Sequence, residues 1–245
     1  MKTALTIAGA DPSGGAGIQT DLKAFSSFGV LGLSVITSLT AQNNGAVRAK
    51  LVIPPSFLRK QVDALVEEFR IDAVKVGMLG SSANATAVAR VIERYGLKNV
   101  VLDTVLSSTG GFPLIDGKGV EAIRKLARRS TVITPNIPEA EALSGVEIKT
   151  VEEMEKAAKE IFALGPEYVL IKGGHLKGSP VDVLYDGRRF DRFPGARVRG
   201  RAGRFHGTGC ILSAGIAAGL ANGRPVRKAV AEAKGYLEKV IRERG

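Results

Sequence analysis

The chain has 245 residues, a mass of 25.8 kDa, a formal net charge of +11 and a single cysteine. A chain of this length can bury a core without disulfide or metal cross-links, and one cysteine excludes an internal disulfide. No apolar stretch reaches the ~18 residues of a membrane span, and no basic-then-apolar leader opens the chain. We therefore expect a cytoplasmic protein with no membrane partner.

Predicted strands and helices alternate along the chain. Runs rich in β-branched residues predict strands at 3–8, 32–39, 72–78, 98–105, 130–136 and 167–174. Amphipathic spacing predicts helices at 15–29, 54–70, 82–96, 118–129 and 150–165, and a small, apolar run predicts a buried helix at 211–220. Residues 181–193 alternate around Asp186-Gly187 and predict an antiparallel hairpin.

This order of elements predicts an α/β protein with three layers, α/β/α, a mainly parallel central sheet and a short antiparallel hairpin. Several strands are near-continuous apolar runs, as expected when helices cover both faces of a sheet. No internal repeat, linker or low-complexity segment interrupts the pattern. We therefore predict one domain spanning residues 1–245.

The loops at the carboxyl ends of the predicted strands indicate a shared site, because open α/β sheets bind ligands there. These loops hold most of the unusual residues of the chain and lie at 9–17, 40–45, 77–82, 103–111, 134–139 and 172–175. The first, GADPSGGAG, lacks the spacing of a P-loop or a dinucleotide motif. It is either a phosphate cradle or a tight turn between strand and helix.

The strongest motif is FHGTGC, which directly precedes the predicted buried helix. Gly207 and Gly209, on either side of Thr208, leave the backbone accessible, and the helix is expected to aim unpaired N–H groups at one point, as in an anion hole for a phosphoryl group. A thiol at a helix start is expected to have a lowered pKa, so Cys210 is predicted to be a proton acceptor or a hydrogen-bond partner. The alternative is that Cys210 is a small buried hydrophobe.

Three other loops carry charged or polar candidates. In TPNIPE, Asn136 and Glu139 are three residues apart, and Pro138 sits where a helix can start. Glu139 could hold Mg²⁺ through water, whereas Asn136 could simply cap the helix, and both interpretations stay open. Lys172 ends an apolar strand and needs a counter-charge, which a bound phosphate could supply. Asp103 ends another strand in a similar way.

Seven stretches carry a resemblance to a known family, and they follow in the order ALTIAGADPSGGAGIQTDLKAF, SVITSLTAQN, KVGML, VLDTV, TPNIPEAEAL, IKGGH and HGTGCILSA. They resemble the hydroxymethylpyrimidine and phosphomethylpyrimidine kinases of thiamine biosynthesis, which have the ribokinase-like fold. The resemblance implies ATP and Mg²⁺ as cofactors. It implies phosphorylation of 4-amino-5-hydroxymethyl-2-methylpyrimidine, and then of its monophosphate to the pyrophosphate. It also implies a homodimer. The set of loop residues, which favours a small-molecule site, leads us to expect no nucleic-acid partner.

The resemblance assigns roles to individual residues. Gln42 would bind the amino and ring nitrogens of the pyrimidine, and Cys210 stands where many superfamily members carry a catalytic aspartate. Lys172 would contact the transferring phosphates. The residues expected to line the pyrimidine pocket are Gly9, Ala16, Asp21, Met78 and Val105. Those expected to organise ATP and the metal are Thr134, Asn136, Glu139 and Asp103, with Asp103 and Glu139 as metal ligands.

Two alternative functions stay open. A pyridoxal kinase would use the same scaffold on another hydroxymethyl heteroaromatic substrate. A nucleic-acid-binding protein would use the arginine-rich segment 188–204, but aromatic residues are only 5% of the chain and such charge runs usually face water. The chain also departs from the family pattern at Thr104, where proline is usual, at Phe112, and at Arg204 and Phe205 before the GTGC motif.

Overall fold

The computed structural model describes residues 1–43, 45–108, 110–174, 176, 180–195 and 207–243. Within these ranges the strands are β1 (Thr3–Ala10), β2 (Leu31–Gln42), β3 (Val47–Val52), β4 (Ala73–Val76), β5 (Val100–Leu102), β6 (Val132–Ile133), β7 (Tyr168–Ile171), β8 (Val181–Tyr185) and β9 (Phe190–Pro194). The helices are α1 (Gly17–Ser27), α2 (Pro55–Val66), α3 (Ser82–Arg94), α4 (Gly119–Ala127), α5 (Ile137–Ser144), α6 (Val151–Phe162), α7 (Thr208–Ala221) and α8 (Val226–Glu243).

All the described strands belong to one sheet with the order β3-β2-β1-β4-β5-β6-β7-β8-β9. The pairs from β2 to β7 are parallel, whereas β3, β8 and β9 pair antiparallel at the two edges. The predicted α/β class, mainly parallel sheet and 181–193 hairpin are confirmed. The sequence pattern does not predict the edge strand β3, because no residue of VRAKLV is buried and the segment therefore has no apolar run.

Two hydrophobic cores lie on opposite faces of the sheet. Helices α2 to α6 pack on one face, against alternate strand residues such as Ile7, Val74 and Val76. Helices α1, α7 and α8 pack on the other face, against residues such as Ala73 and Val101. The side chains alternate between these cores because successive residues of a strand point to opposite faces. This arrangement gives the three predicted layers.

Helix α7 is the predicted buried helix, and every residue from Ile211 to Ala221 is buried. Its glycines allow close contact with α8. A Cβ at Gly215 would lie 2.9 Å from Ala233 Cβ, and a Cβ at Gly219 would lie 2.9 Å from Ala229 Cβ. This packing holds α7 closely against α8. Although α7 is apolar, neither it nor any other helix in the described ranges is long and apolar enough to cross a membrane.

The arginine-rich segment is only partly described. Arg192 pairs with Glu155 at 2.8 Å, and Arg189 lies 3.8 Å from Asp191, so these two arginines have acidic neighbours at the surface. Residues 196–206 lie outside the described residues, and with them Arg197, Arg199, Arg201, Arg204 and Phe205. The interpretation of those positions stays a prediction.

Candidate active site

A cavity of about 900 Å³ opens at the carboxyl ends of the parallel strands. The described loops at those ends contribute to its wall, as the sequence predicts from the position of such ends in α/β sheets. The predicted site residues that line it are Gly9, Ala16, Gln42, Met78, Asp103, Val105, Asn136, Glu139, Lys172, Gly207, Thr208, Gly209 and Cys210. Asp21 and Thr134 are fully buried and do not line it.

The loop between β1 and α1 is folded around the carboxylate of Asp11. One oxygen of Asp11 accepts a hydrogen bond from the Ser13 amide and the other from the Ala16 amide, both at 2.8 Å. Gly17 has a φ of 61°, and a Cβ there would lie 2.4 Å from the Gly9 carbonyl oxygen. The amides of Ser13 and Ala16 are therefore occupied by the chain itself, which favours the tight-turn interpretation of this loop over the phosphate cradle.

The start of α7 has the geometry of the predicted anion hole. The N-cap residue Gly207 has a φ of 75°, and it has no side chain that could accept from the first amides of the helix. A Cβ at Gly207 would lie 1.9 Å from the Gly15 carbonyl oxygen, so glycine is required by both conformation and space. The helix dipole and these amides favour a negative charge in the cavity.

Lys172 and Asp103 form an ion pair beside this helix start. The Lys172 ammonium lies 2.8 Å from one carboxylate oxygen of Asp103, and Ser213 donates to the other oxygen at 3.1 Å. Burial alone would raise the pKa of Asp103, but Lys172 and Lys75 outweigh it and lower that pKa. The counter-charge that the sequence left open for Lys172 is therefore Asp103. The buried Thr134 hydroxyl supports the same carboxylate at 3.3 Å.

Asn136 and Glu139 form a capping box at the start of α5. The Asn136 side chain accepts from the Glu139 amide at 3.0 Å, and the Glu139 carboxylate accepts from the Asn136 amide at 2.9 Å. Thr104, which stands where the family usually has proline, donates its hydroxyl to the same carboxylate at 2.9 Å. Burial raises the pKa of Glu139. Capping by Asn136, one of the two open interpretations, is thus present in the structure.

The donor set for Mg²⁺ consists of two carboxylates. No group of three or more His, Cys, Asp or Glu side chains that could hold a metal occurs among the described residues. Mg²⁺ bound with a nucleotide commonly uses one or two protein carboxylates and takes its other ligands from phosphates and water. Asp103 and Glu139 both line the cavity and fit that role.

Cys210 is half-buried at the first turn of α7, and the expectation of a lowered pKa is wrong. Burial raises the pKa of the Cys210 thiol to about 11. The nearby Lys75 ammonium and a hydrogen bond from the Gly17 amide act in the opposite direction, but they do not outweigh the loss of solvent. A helix start lowers a thiol pKa only when desolvation is smaller than the electrostatic gain.

Lys75 is a residue of the site that the sequence reasoning missed. It lies in β4, its side chain is fully buried, and it donates to Asp21 at 2.8 Å while also lining the cavity. A charged residue inside the apolar run DAVKVGM was the available signal, since lysine is almost never fully buried without a partner. The partner, Asp21, lies 54 residues earlier on α1.

A second wall of the cavity comes from α8, which the sequence reasoning did not assign to the site. Lys234 donates to Asp182 at 2.6 Å and to the Phe193 carbonyl at 2.9 Å. Asp182 in turn accepts from the Gly173 amide at 2.9 Å. This network ties α8 to the edge hairpin. It places Lys234 in the cavity wall, where Leu237, Glu238 and Ile241 also lie.

Comparison with known proteins identifies the family. The family model described as phosphomethylpyrimidine kinase matches residues 11–245. The chain is 44% identical over 240 residues to the thiamine biosynthesis bifunctional protein ThiED of Geobacter sulfurreducens, which is 97% of this chain and about half, 49%, of that protein. It is 40% identical over 241 residues to the hydroxymethylpyrimidine/phosphomethylpyrimidine kinase of Aquifex aeolicus, which is 98% of this chain and 94% of that protein.

A solved structure agrees with the same assignment at the level of the fold. The ADP complex of Bacillus subtilis pyridoxal kinase superimposes with a TM-score of 0.88 at 40% identity, covering 96% of this chain and 90% of that one. A likeness of this extent confirms the predicted ribokinase-like architecture. The match of the family model over most of the sequence, together with the identity to full-length relatives, shows that the chain belongs to the phosphomethylpyrimidine kinase family.

Proposed function

We propose that the cavity at the carboxyl edge of the sheet carries out the reaction of this family. The chain is a phosphotransferase by its family. The reaction is the ATP-dependent phosphorylation of 4-amino-5-hydroxymethyl-2-methylpyrimidine, followed by phosphorylation of the monophosphate to the pyrophosphate. One observation carries the assignment to this cavity: Gln42, Lys172, Cys210 and the start of α7 all line it.

Each transfer is a displacement at the γ-phosphorus of ATP. In the first, the hydroxymethyl oxygen of the pyrimidine bonds to the γ-phosphorus while the bond from that phosphorus to the β–γ bridging oxygen breaks, and ADP leaves. The hydroxyl proton passes to the Cys210 sulfur, which must be a thiolate at that moment. Phosphoryl transfer depends mainly on alignment and charge stabilisation. The Lys172 ammonium and the amides of Thr208, Gly209 and Cys210 provide positive charge at the migrating group.

The nucleotide is assigned to the part of the cavity between the start of α7 and α8. Lys172 is fixed there by Asp103, and a Cβ at Gly209 would lie 3.2 Å from its ammonium nitrogen, so the helix start and the lysine act at one point. Asp103 and Glu139 would hold Mg²⁺, directly or through water. When bound, Mg²⁺ supplies positive charge to the phosphates.

The pyrimidine is assigned to the part of the cavity next to β2. Gln42 ends that strand, and its amide can both donate to and accept from an aminopyrimidine edge. Gly9, Ala16, Met78 and Val105 complete this part of the wall. A Cβ at Gly9 would lie 2.9 Å from the Met78 sulfur, so glycine leaves Met78 in place beside the ring. Asp21, which does not line the cavity, is left out of this pocket.

The test is direct. Purified protein is incubated with Mg-ATP and the hydroxymethylpyrimidine, and the products are weighed by mass spectrometry. We expect the monophosphate first and the pyrophosphate later, with one ADP formed per transfer. Lys172→Met is the control for contaminating kinases, because it removes the charge at the migrating phosphoryl group. Failure to form either phosphate, with folded protein, contradicts the proposal.

Pyridoxal phosphorylation is the second candidate function. The likeness to the Bacillus subtilis pyridoxal kinase at a TM-score of 0.88 favours it, since that enzyme shares the fold throughout. Both substrates present a hydroxymethyl group on a flat heteroaromatic ring. A side-by-side assay of the two substrates at equal concentration decides between them. We expect a higher kcat/KM for the pyrimidine.

We also keep the predictions of one domain, a cytoplasmic location and a homodimer. An exposed apolar patch supports the dimer: Leu39 and Leu51 face each other across β2 and β3, with 44% and 64% of their surfaces exposed. Isolated apolar side chains at a surface are ordinary, but a pair formed by an edge strand and its neighbour favours an interface. Light scattering of wild type and of Leu51→Glu measures the mass. A monomeric wild type contradicts the prediction.

A further inference from the structure

The ion pair of Lys75 and Asp21 lies beneath the reacting end of the cavity. The side chains of both residues have no solvent exposure, and their charged atoms are 2.8 Å apart. Thr6 donates a second hydrogen bond, at 2.6 Å, to the same carboxylate oxygen that Lys75 contacts. The other oxygen, Asp21 Oδ1, is buried and has no hydrogen-bond partner among the residues that the structure describes.

The fold alone gives little reason for this pair. By strand alternation Lys75 points to the same face as Ala73, where α1 and α7 otherwise pack through apolar residues. A buried ion pair is often no more stabilising than apolar residues of the same volume, because both charges lose their solvent. Lys75 nevertheless lines the cavity together with Cys210 and Asp103. A costly charge placed at a reaction site indicates a role in the reaction.

We propose that Lys75 is a positioning residue for phosphoryl transfer, whose ammonium, held in place by Asp21, balances the negative charge of the Cys210 thiolate before that thiolate takes the substrate proton. The inference rests on the proposed function, which gives Cys210 that proton. Gly77 supports the arrangement, because a Cβ there would lie 2.6 Å from the Lys75 nitrogen and displace it. Lys75 thus has a fixed location next to α7.

The charged groups around the thiol act with different signs. Lys75, from β4, favours the thiolate, whereas Asp21 on α1 and Asp103 after β5 disfavour it. Lys172, after β7, also interacts with Cys210. The amide of Gly17 donates a hydrogen bond to the sulfur. Removal of Lys75 should therefore raise the pKa of the Cys210 thiol, whereas removal of Asp21 should lower it.

The single cysteine of the chain makes this measurable without kinetics of the kinase reaction. The rate of alkylation by iodoacetamide follows the thiolate fraction, so its pH dependence reports Cys210 alone. We expect Lys75→Met to slow alkylation at pH 9 by at least about tenfold, which corresponds to one pKa unit. We expect Asp21→Asn to accelerate it. Asparagine can keep its oxygen toward Thr6 and Lys75 and place its NH₂ group at the position of the unpartnered oxygen.

A double variant keeps the test usable if Lys75→Met does not fold. Lys75→Met alone leaves the Asp21 carboxylate buried without its charged partner, whereas Lys75→Met/Asp21→Asn removes both charges of the pair. Circular dichroism and thermal unfolding identify which variants fold. We expect the double variant to react more slowly than wild type and faster than Lys75→Met. Equal rates in wild type and all folded variants, or a change of the same sign in Lys75→Met and Asp21→Asn, overturn the inference.

Steady-state kinetics of the kinase reaction distinguish a failure of this inference from a failure of the proposed function. We expect Lys75→Met to lower kcat by at least about tenfold and to change the KM for the pyrimidine by less than about twofold, because Lys75 acts through Cys210 and not on the ring. A loss confined to KM contradicts the positioning role. If the wild type phosphorylates neither substrate, the proposed function fails, and the alkylation rates still decide whether Lys75 controls the thiol.

Discussion

The Lys172 ammonium reaches 2.8 Å from the Asp103 carboxylate across the end of β6, which lies between their strands β5 and β7. The two residues are 69 positions apart in the chain. Their contact exists because parallel strands end at one edge of the sheet. The contact joins a residue that is expected to bind phosphate to one that is expected to bind metal. A substitution at either position therefore leaves the other without its charged partner.

We predict that breaking the Lys172–Asp103 ion pair of the site lowers the stability of the fold. Lys172→Met leaves a buried carboxylate without its partner, and such a loss typically costs about 3–5 kcal/mol. The double variant Lys172→Met/Asp103→Asn should recover part of this free energy of unfolding. Urea unfolding of the single and double variants measures the coupling. Glu121→Gln, which removes an exposed ion pair with Lys125, is the control, and its free energy of unfolding should equal that of the wild type.

We predict that an alanine at Gly207 damages the anion hole. The new Cβ would clash with the Gly15 carbonyl at 1.9 Å, and the φ of 75° is strained for alanine by about 1–2 kcal/mol. Gly223→Ala is a matched control, since its φ is 74° and no atom would lie within 4 Å of the Cβ. We expect Gly207→Ala to lower kcat more than about tenfold and Gly223→Ala to lower only stability. Equal activities would contradict the anion hole.

We predict that Gln42→Ala weakens binding of the pyrimidine. The amide of Gln42 is the group of the β2 end that can pair with the aminopyrimidine edge, so its loss should raise the KM for the pyrimidine. The KM for ATP should stay within about twofold, because the nucleotide is assigned to the α7 and α8 side. Steady-state kinetics with each substrate varied in turn measure both. An unchanged KM for the pyrimidine contradicts the assignment.

We predict that Cys210→Ala lowers kcat by about 10²–10⁴ with little loss of stability, as for removal of a general base. Alanine removes only the sulfur from a half-buried position at the first turn of α7. The measurement is turnover under saturating Mg-ATP, together with thermal unfolding. Unchanged turnover would exclude Cys210 as the proton acceptor.

We predict that the rate rises with pH because the reactive form of Cys210 is the thiolate. With a pKa of about 11, the thiolate fraction grows about tenfold per pH unit from pH 7 to 10. The pKa values of Lys75 and Lys172 are raised, so both stay charged over this range. We expect kcat/KM to follow the thiolate fraction in wild type and to lose this slope in Cys210→Ala. A flat wild-type profile contradicts the assignment.

We predict that the raised pKa of Cys210 makes the folded chain less stable as the pH rises above 9. The ordinary pKa of the thiol is 9.0, and the folded value is about 11. Between these values the folded chain keeps a proton that the unfolded chain has lost. Stability from this group is therefore complete below pH 9 and falls as the pH rises toward 11. Comparison of wild type and Cys210→Ala by urea unfolding at both ends of this range measures the effect.

Much of the fold follows from local sequence patterns. The predicted parallel strands, the amphipathic helices and the 181–193 hairpin are present because their apolar residues recur with the period of the element they form. The edge strand β3 escapes this reasoning, since an exposed strand needs no apolar run and is stabilised by its pairing with β2. The position of the site also follows, because topology places the strand ends together.

The sequence by itself determined which loops meet and which polar groups they bring: Gln42, Asp103, Lys172 and Cys210 at one edge of a parallel sheet. The tertiary structure alone decided how these groups are charged. It buried the thiol and so raised its pKa, and it paired Lys75 with Asp21 beneath the cavity. Periodicity is a property of neighbours in the chain, whereas desolvation and charge pairing depend on elements that are distant in sequence and adjacent only after folding.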